Sequence, residues 1–563
     1  MIPASAAETS EPPAVIALAW VAVPHLLQVD GRASCRLRAA HVSSARARGA
    51  NAVLSSIDSG SAGPGGGRLR SMPHLIALAA IGTVATALFL RIRDLGLLGF
   101  DSYPLIAASR VRSLADLPGL LTDELMPGYY SVAFWRPLVK LTFAADHALW
   151  GLEPAGYHLT SVLVLAACAV AIYALGCRLA GDGASLVPLV AVGLFLLHPV
   201  LRDVVPIPPR RAELLCCGFM ALSLWLQLSP QALRRKLPVW PAVATLAAIA
   251  SKETAFALPL ASFTAVALYA PATRASERFG RAAAALVPHA AVVLAMLGAR
   301  TALGAIGVEG LSPRAVLQSL VGSSPNEPLL TTSAAGRWVL VGLIITLLVG
   351  IAVSLFGWVA RRTGDRDFPS LQALRPEIVA VVWSLSILAL TYARWNPWKF
   401  EYQYLVPVAG WALLVAATAG RVVRFARGGG TAPAIGGVVM LGLLALQAVQ
   451  QARFSPLFFE RGESQAASEI ARAFLDEARS RIERADDGSV VAGPRLPRRV
   501  PPRDPLRVSG TMIFADYSVQ AWADLSFPDR RVRVVFAPGT TPASHTAAAG
   551  ELVLLLAGVR PES

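Results

Sequence analysis

The amino-acid sequence predicts an α-helical polytopic membrane protein with a small C-terminal α/β domain outside the membrane. Of the 563 residues, 55% are hydrophobic and only 15% are charged, which leaves too few polar side chains to cover a soluble protein of this size. The mean hydropathy is +0.54, and runs of about 20 apolar residues, enough to cross a bilayer, recur along the chain. This composition excludes a disordered protein, a coiled coil and an ordinary cytosolic enzyme.

The first segment, residues 1–71, differs from the rest of the chain in composition. It is rich in Ala, Ser, Gly and Arg, and carries the Gly-rich stretch 61–67 near its end. Such a composition is typical of a flexible leader. Two alternative interpretations are that translation begins at Met72, or that the apolar run from Ala14 to Val29 is a signal-peptide core.

The next segment, residues 72–450, is the predicted membrane domain. Eleven apolar runs predict about eleven transmembrane helices. They lie at 73–90, 158–179, 184–201, 212–229, 238–251, 254–270, 282–304, 337–359, 376–393, 402–420 and 431–450.

The distribution of basic residues between the loops predicts the orientation of these helices. One set of alternate loops carries fourteen Lys and Arg residues and the other set carries seven. Since basic loops stay on the cytoplasmic side, the N-terminus is predicted inside. The first outer loop, 92–157, and the tail, 451–563, are then predicted outside.

The last segment, residues 451–563, is the predicted α/β domain. Ile470, Phe474, Ala478 and Ile482 recur at helical spacing, which predicts an amphipathic helix. Short β-branched and apolar runs predict strands near 489–492, 511–514, 532–536 and 552–556.

Two other classes of function are disfavoured by charge and cysteine usage. The net charge of +15 could suggest nucleic acid as a partner, but the basic residues form short clusters between apolar runs and are better explained as topology signals. Four of the five cysteines fall inside apolar segments without metal-ligand spacing. We therefore predict no nucleic-acid partner, no disulfide framework and no metal site.

Ionisable residues concentrate in the predicted outer loops. Carboxylates, guanidinium groups and aromatic rings together on one face of a membrane would suit an anionic lipid-linked substrate and a hydroxyl acceptor. The candidate site residues are Asp101, Arg136, His158, His198, Asp203, Arg211, Glu213, Lys252 and Glu253.

Structural roles are the competing interpretation for several of these residues. Arg136 could anchor an interfacial helix predicted at 131–150, and His158 and His198 could simply be buried structural residues. Lys252 and Glu253 could form a local ion pair at the tip of a helical hairpin. Tyr402 could belong to an interfacial aromatic belt or line a sugar site.

The order of short motifs resembles that of one known family, the GT-C fold membrane glycosyltransferases. Within that family, residues 85–270 are most similar to protein O-mannosyltransferase-like proteins. The shared motifs, in chain order, are Asp101, Val-Arg-Ser-Leu at 111–114, Arg-Pro-Leu at 136–138, Ala-Leu-Trp-Gly-Leu at 148–152, Tyr-His-Leu-Thr at 157–160, His-Pro-Val at 198–200, Arg211 with Glu213, and Ser-Lys-Glu at 251–253. The chain departs from the family where Ser102 follows Asp101, a place where many members carry a second acid.

The resemblance implies a polyprenyl-phosphate sugar donor, transfer to an acceptor hydroxyl on the outer side, and no metal or other cofactor. It implies Asp101 as the catalytic base. The donor phosphate would be bound by Arg211 first, with Arg136 and Lys252 behind it. The carboxylates of Asp203, Glu213 and Glu253 would orient those cations or the acceptor.

Two alternatives remain open at the level of sequence. A transporter or flippase of lipid-linked saccharide would also be a polytopic helical protein, although such proteins place ionisable groups near the midplane and carry internal repeats. A catalytically silent relative would be compatible with Ser102. The Ala/Arg/Gly-rich usage favours a bacterial inner membrane, and the partners predicted are membrane lipid, the lipid-linked donor and a protein, lipid or glycan acceptor.

Overall fold

The structure is a computed structural model, and it describes most of the predicted membrane domain and part of the tail. The described residues are 66–129, 134–181, 187–234, 237–271, 274–302, 374–394, 401–427, 438, 442, 445, 449, 462–493, 499–500, 510–536 and 557–558. The predicted leader up to residue 65, the run at 337–359 and most of the run at 431–450 lie outside them. Contacts divide the chain into units of residues 1–69 and 70–563, and the packing below belongs to the second unit.

Helices dominate the described residues, and each predicted apolar run that falls among them overlaps a helix. The α-helices are α1 (Gly66–Ile92), α2 (Ser102–Ser109), α3 (Leu117–Thr122), α4 (Pro137–Trp150), α5 (Pro154–Ala180), α6 (Val187–Leu196), α7 (Leu201–Val204), α8 (Arg211–Gln227), α9 (Pro230–Arg234), α10 (Val239–Ser251), α11 (Leu258–Tyr269), α12 (Ala275–Ala302), α13 (Arg375–Arg394), α14 (Leu405–Arg427), α15 (Gly462–Arg484) and α16 (Asp516–Ser526).

Four of the described helical stretches are long and apolar enough to cross a membrane. They are 74–92, 154–180, 276–302 and 402–423, with shorter apolar helices at 187–196, 239–251 and 253–269. These features indicate a multi-pass membrane protein. The first helix begins at Gly66, within the predicted leader, rather than at residue 73.

The membrane core forms where these helices face one another. Helix α8 packs against α5 and α10, while α14 packs against α6 and α13. The largest side chains at its centre are Trp383 and Trp411, both with no exposed surface. Both tryptophans belong to the main buried cluster of the bundle, and a smaller cluster lies between α11 and α12.

The first outer loop folds into short helices next to this bundle. Its main helix, α4, begins at Pro137 rather than at residue 131, because proline is favoured at a first helical position. The buried Lys140 ammonium donates to the carbonyls of Gly119 and Glu124 at 2.9 and 3.2 Å. These bonds tie α3 to α4. Leu149 remains 70% exposed, as an interfacial helix requires.

The described residues of the tail form one longer helix, a second short helix and two small sheets. The strands are β1 (Val490–Gly493), β2 (Arg499–Val500), β3 (Thr511–Met512), β4 (Arg533–Phe536) and β5 (Ala557–Gly558). In the first sheet β1 pairs in parallel with β4 and antiparallel with β5, and in the second β2 pairs antiparallel with β3. The helix pattern predicted from Ile470, Phe474, Ala478 and Ile482 coincides with α15.

The tail and the first outer loop share one hydrophobic core. Phe474 and Phe514 from the tail lie in the same buried cluster as Leu98, Phe143 and Tyr157. The tail therefore packs as a second layer on the first outer loop, and this layer positions the site described next.

Candidate active site

Asp101 lies where the first outer loop enters α2. Gly99 precedes it with φ of +100°, a left-handed conformation that favours glycine. The Gly99 amide donates to the carbonyl of Ile513 in the tail at 3.1 Å. This turn presents the Asp101 carboxylate at the boundary between loop and tail rather than to open solvent.

The Asp101 carboxylate is partly buried and hydrogen-bonded. The Tyr517 hydroxyl of α16 donates to its Oδ1 at 3.0 Å. Burial raises the pKa of Asp101 above the ordinary value of 3.8, and this effect outweighs the hydrogen bond and the charges of Arg136 and Arg210, which lower it. A carboxylate with a raised pKa is a stronger base.

The residue that follows Asp101 does not extend this acidic group. The Ser102 side chain is fully buried, and its hydroxyl donates to the Leu98 carbonyl at 2.5 Å. It has a structural role in the turn.

Arg136 forms the next part of the site through Glu253. Its Nε and Nη2 atoms donate to the two Glu253 oxygens at 3.3 and 2.9 Å. Arg300 of α12 also binds Glu253, at 3.2 Å, and the Trp135 carbonyl at 2.9 Å. Two guanidinium groups thus share one carboxylate, which leaves this triad with a net positive charge.

Arg210 lies at the end of a one-turn 3₁₀ helix, Pro208–Arg210, just before α8. Its Nη1 donates to the Asp203 carbonyl at 2.5 Å and lies 3.7 Å from the Asp203 carboxylate. Its guanidinium stacks on the Tyr402 ring, 4.2 Å from the centroid. Arg210 is also close enough to Arg499 in the tail for its charge, together with burial, to lower the pKa of that guanidinium.

Lys252 also lies close to the Tyr402 ring. Its ammonium is 5.4 Å from the centre of the ring and is paired with the Glu213 carboxylate at the start of α8. The neighbouring residue Glu253 pairs instead with Arg136 and Arg300. The two side chains of the predicted hairpin tip therefore fix separate parts of the site.

Arg211, expected to bind phosphate, has a different position from Arg210. It has no exposed surface. Its Nη1 lies 2.5 Å from Asp146 Oδ2, and its Nη2 donates to the Tyr157 carbonyl at 3.0 Å. Asp146 also accepts from Thr160 at 2.6 Å. Since a carboxylate already occupies this guanidinium, Arg211 stabilises the contact between α4, α5 and α8.

The two histidines lie in structural surroundings. His158 is fully buried in α5 with its Nε2 3.1 Å from the Leu95 carbonyl. The His198 ring packs edge-to-face on Trp411 at 5.6 Å, and its Nδ1 accepts from the Val200 amide at 3.1 Å. Both positions favour the structural interpretation left open by the sequence.

The structure thus brings Asp101, Arg136, Lys252, Asp203, Glu213 and Glu253 to one end of the helices. It adds Arg210, Tyr402 and the distant residues Arg300, Arg499 and Tyr517. Arg210 and Tyr402 stood in loops that the sequence singled out, whereas the other three carry no local motif. Among the described residues, no three His, Cys, Asp or Glu side chains converge as metal ligands would.

Comparison with known proteins agrees with the sequence motifs. The chain is 27% identical over 191 residues to the protein O-mannosyl-transferase Tmtc1 of Drosophila melanogaster, a match that covers 33% of this chain. This match confirms the predicted resemblance to protein O-mannosyltransferases. The chain spans only 22% of that relative's length.

One solved structure is similar over most of the chain. It is the crystal structure of an oligosaccharyltransferase from Archaeoglobus fulgidus tethered to an acceptor peptide, with 13% sequence identity and a TM-score of 0.41. The likeness covers 83% of this chain and 64% of the archaeal chain. No protein family model matches the sequence.

Proposed function

We propose that this chain is a membrane glycosyltransferase that moves a hexose, with mannose as the first candidate, from a polyprenyl phosphate to an acceptor hydroxyl. The observation that carries the proposal is the Asp101 carboxylate, held in a partly buried position where the charges of Arg136 and Arg210 act on it. The sugar is suggested by the name of the matched O-mannosyl-transferase. The lipid-linked donor follows from the motif resemblance.

Asp101 acts as the general base in this proposal. It takes the proton of the acceptor hydroxyl while the acceptor oxygen bonds to the anomeric carbon of the sugar. The bond from that carbon to the phosphate oxygen breaks, and its electron pair leaves with the polyprenyl phosphate. A raised pKa suits this role because the proton transfer becomes more favourable as the basicity of the carboxylate increases.

The donor phosphate binds at Arg210, with Arg499 and Arg136 nearby. This assignment replaces Arg211, whose side chain has no exposed surface, whereas 9% of the Arg210 side chain is exposed. Arg210 and Arg499 are close enough for their like charges to affect each other. The singly charged phosphodiester of the donor would reduce that repulsion, and the second negative charge that the phosphate gains as it leaves would be stabilised further.

The carboxylates of Asp203, Glu213 and Glu253 orient the cations in this scheme. Asp203 and Glu253 each hold a guanidinium group, while Glu213 holds the Lys252 ammonium. Tyr402 lies close to both Arg210 and Lys252, and its aromatic ring would provide an apolar contact for the sugar. The acceptor is a protein, a lipid or a glycan on the predicted outer face.

The test is sugar transfer from radiolabelled polyprenyl-phosphate mannose by the purified chain in lipid nanodiscs with mixed acceptors. We expect Asp101→Asn to reduce transfer by a factor on the order of 10²–10⁴ and to retain saturable binding of the lipid phosphate. Asp94→Asn is the matched control, because the Asp94 side chain is 68% exposed and lies in the same loop. Full transfer by Asp101→Asn would overturn the assignment of the base.

If no donor supports transfer, the proposal that the chain is an enzyme would be overturned. The same protein would then be reconstituted into vesicles that carry a fluorescent lipid-linked saccharide. Movement of the intact lipid between leaflets would identify a transporter, and binding alone would identify a silent relative.

A further inference from the structure

The tail is fastened to the few residues that carry the proposed base. The Ser518 hydroxyl donates to the Phe100 carbonyl and accepts the Ala515 amide at 2.9 Å. The ring of Tyr103 packs on Phe514 of the tail with centroids 5.7 Å apart. The start of α16 is therefore held in register with the start of α2.

Within this contact, Tyr517 is the residue that reaches the carboxylate itself. Its hydroxyl donates a hydrogen bond to Asp101 Oδ1 at 3.0 Å. Within the described part of the chain, Oδ2 accepts no hydrogen bond. One oxygen is thus anchored by the tail, and the other would take the proton of the acceptor hydroxyl in the proposed reaction.

We infer that Tyr517 is a positioning residue for the proposed reaction: its hydroxyl fixes the Asp101 carboxylate in its ionised form, so that the tail completes the active site. This inference rests on the proposed role of Asp101 as the base. A hydroxyl that donates to a carboxylate stabilises the charged form. The same hydrogen bond restrains the rotation of the carboxylate and so keeps the second oxygen in one orientation.

Two other groups that face Asp101 also favour its ionised form. The charges of Arg136 and Arg210 lower the pKa of Asp101, as the Tyr517 hydrogen bond does, and the Tyr402 side chain also lies within electrostatic range. Loss of the Tyr517 hydroxyl removes one of these stabilising interactions and leaves burial unchanged. The pKa of Asp101 must then rise further.

The chain offers a matched control for this hydroxyl. Tyr129, in the first outer loop, donates to Asp524 Oδ2 of α16 at 2.8 Å. This bond also joins the loop to the tail through a tyrosine and an aspartate, but it does not involve Asp101. Tyr517→Phe and Tyr129→Phe therefore remove the same kind of contact from the same interface.

Two readouts test the inference on the full chain in nanodiscs. The first is the pH profile of sugar transfer at saturating donor. The second does not depend on activity: a hydrophobic carbodiimide labels protonated carboxyl groups, and mass spectrometry follows labelling of Asp101 as a function of pH. For Tyr517→Phe we expect the acid limb of the transfer profile and the labelling midpoint to move to higher pH by about one unit.

The control sets the result that would overturn the inference. Tyr129→Phe should leave the transfer profile and the labelling midpoint at their wild-type positions, with a loss of thermal stability no larger than that of Tyr517→Phe, because the Tyr129 bond is exposed. An unchanged midpoint in Tyr517→Phe, or an equal shift in both variants, would refute a positioning role. A wild-type protein that transfers no sugar would refute the proposed function instead, and the labelling result would still decide whether Tyr517 controls Asp101.

Discussion

The guanidinium of Arg211 is fully buried and lies 2.5 Å from the carboxylate of Asp146. Arg210, one residue earlier, stacks on Tyr402 within the candidate site. Two adjacent arginines therefore have separate surroundings, and in the proposed function Arg211 stabilises the fold while Arg210 binds the donor. Their substitutions should be distinguishable by experiment.

Replacement of Arg211 by Met should destabilise the protein strongly, because Asp146 would remain buried without its counterion. Removal of one partner of a buried pair costs about 3–5 kcal/mol. The measurement is thermal unfolding in detergent. The double variant Arg211→Met/Asp146→Leu should recover much of the loss, and a single variant as stable as the wild type would contradict the structural role.

Replacement of Arg210 by Ala should weaken donor binding and cost less stability than replacement of Arg211, because Arg210 lies 3.7 Å from the Asp203 carboxylate whereas Arg211 lies 2.5 Å from that of Asp146. A charge-assisted hydrogen bond contributes about 1.5–3 kcal/mol, so the KM for the polyprenyl-phosphate donor should rise roughly 10- to 100-fold. Steady-state kinetics over a range of donor concentrations measure this change. Arg210→Lys keeps the charge but loses two-point binding of phosphate, and we expect an intermediate KM. An unaltered KM in Arg210→Ala would remove Arg210 from the phosphate site.

Gly99→Ala should impair both stability and turnover. A side chain in the left-handed region costs about 1–2 kcal/mol, and here the new Cβ would lie only 2.6 Å from Ile207 Cγ2. Gly128→Ala is the control, since Gly128 has a φ of +80° but no atom within 4 Å of its added Cβ. Melting temperature and kcat should fall further in Gly99→Ala than in Gly128→Ala, and equal effects would show that Ile207 does not constrain the turn.

Asp101→Asn should increase thermal stability near neutral pH. The folded pKa of Asp101 is raised above 3.8 by burial, so the stability associated with this group is complete below 3.8 and is lost as pH rises through the folded pKa. An asparagine at position 101 is uncharged at every pH, so the variant does not bury a charge. The melting temperature of the variant should exceed that of the wild type by about 1–2 °C at pH 7. This difference should disappear below pH 3.8. A melting temperature of the variant below that of the wild type at pH 7 would contradict the burial of the charge.

The sequence predicted the helices well because the physical signal for a membrane span is local. Runs such as 158–179 and 402–420 coincide with α5 and α14, since about 20 apolar residues must form a helix to satisfy their backbone in lipid. Helix starts were less accurate, as the shift from residue 131 to Pro137 in α4 shows. Hydropathy reports which residues are apolar, whereas helix starts depend on proline and on capping.

The sequence predicted only part of the candidate site. Asp101, Arg136 and Glu253 were found because charges stand out in outer loops of an apolar chain. The choice between Arg210 and Arg211 could not be made from sequence, because neighbouring residues at a helix start point about 100° apart and only the packing decides which one is buried. Tyr517 was beyond reach, since no local pattern connects it with a carboxylate more than 400 positions earlier.

The shared core of tail and first outer loop also has a consequence for biosynthesis. Asp101 leaves the ribosome early, and the strand and helix that hold it are translated only after every helix of the membrane domain. The newly made chain thus carries its proposed base without its anchor until α16 has been synthesised. The proposed activity should therefore appear only once the chain extends through α16, and not in proportion to the number of helices inserted.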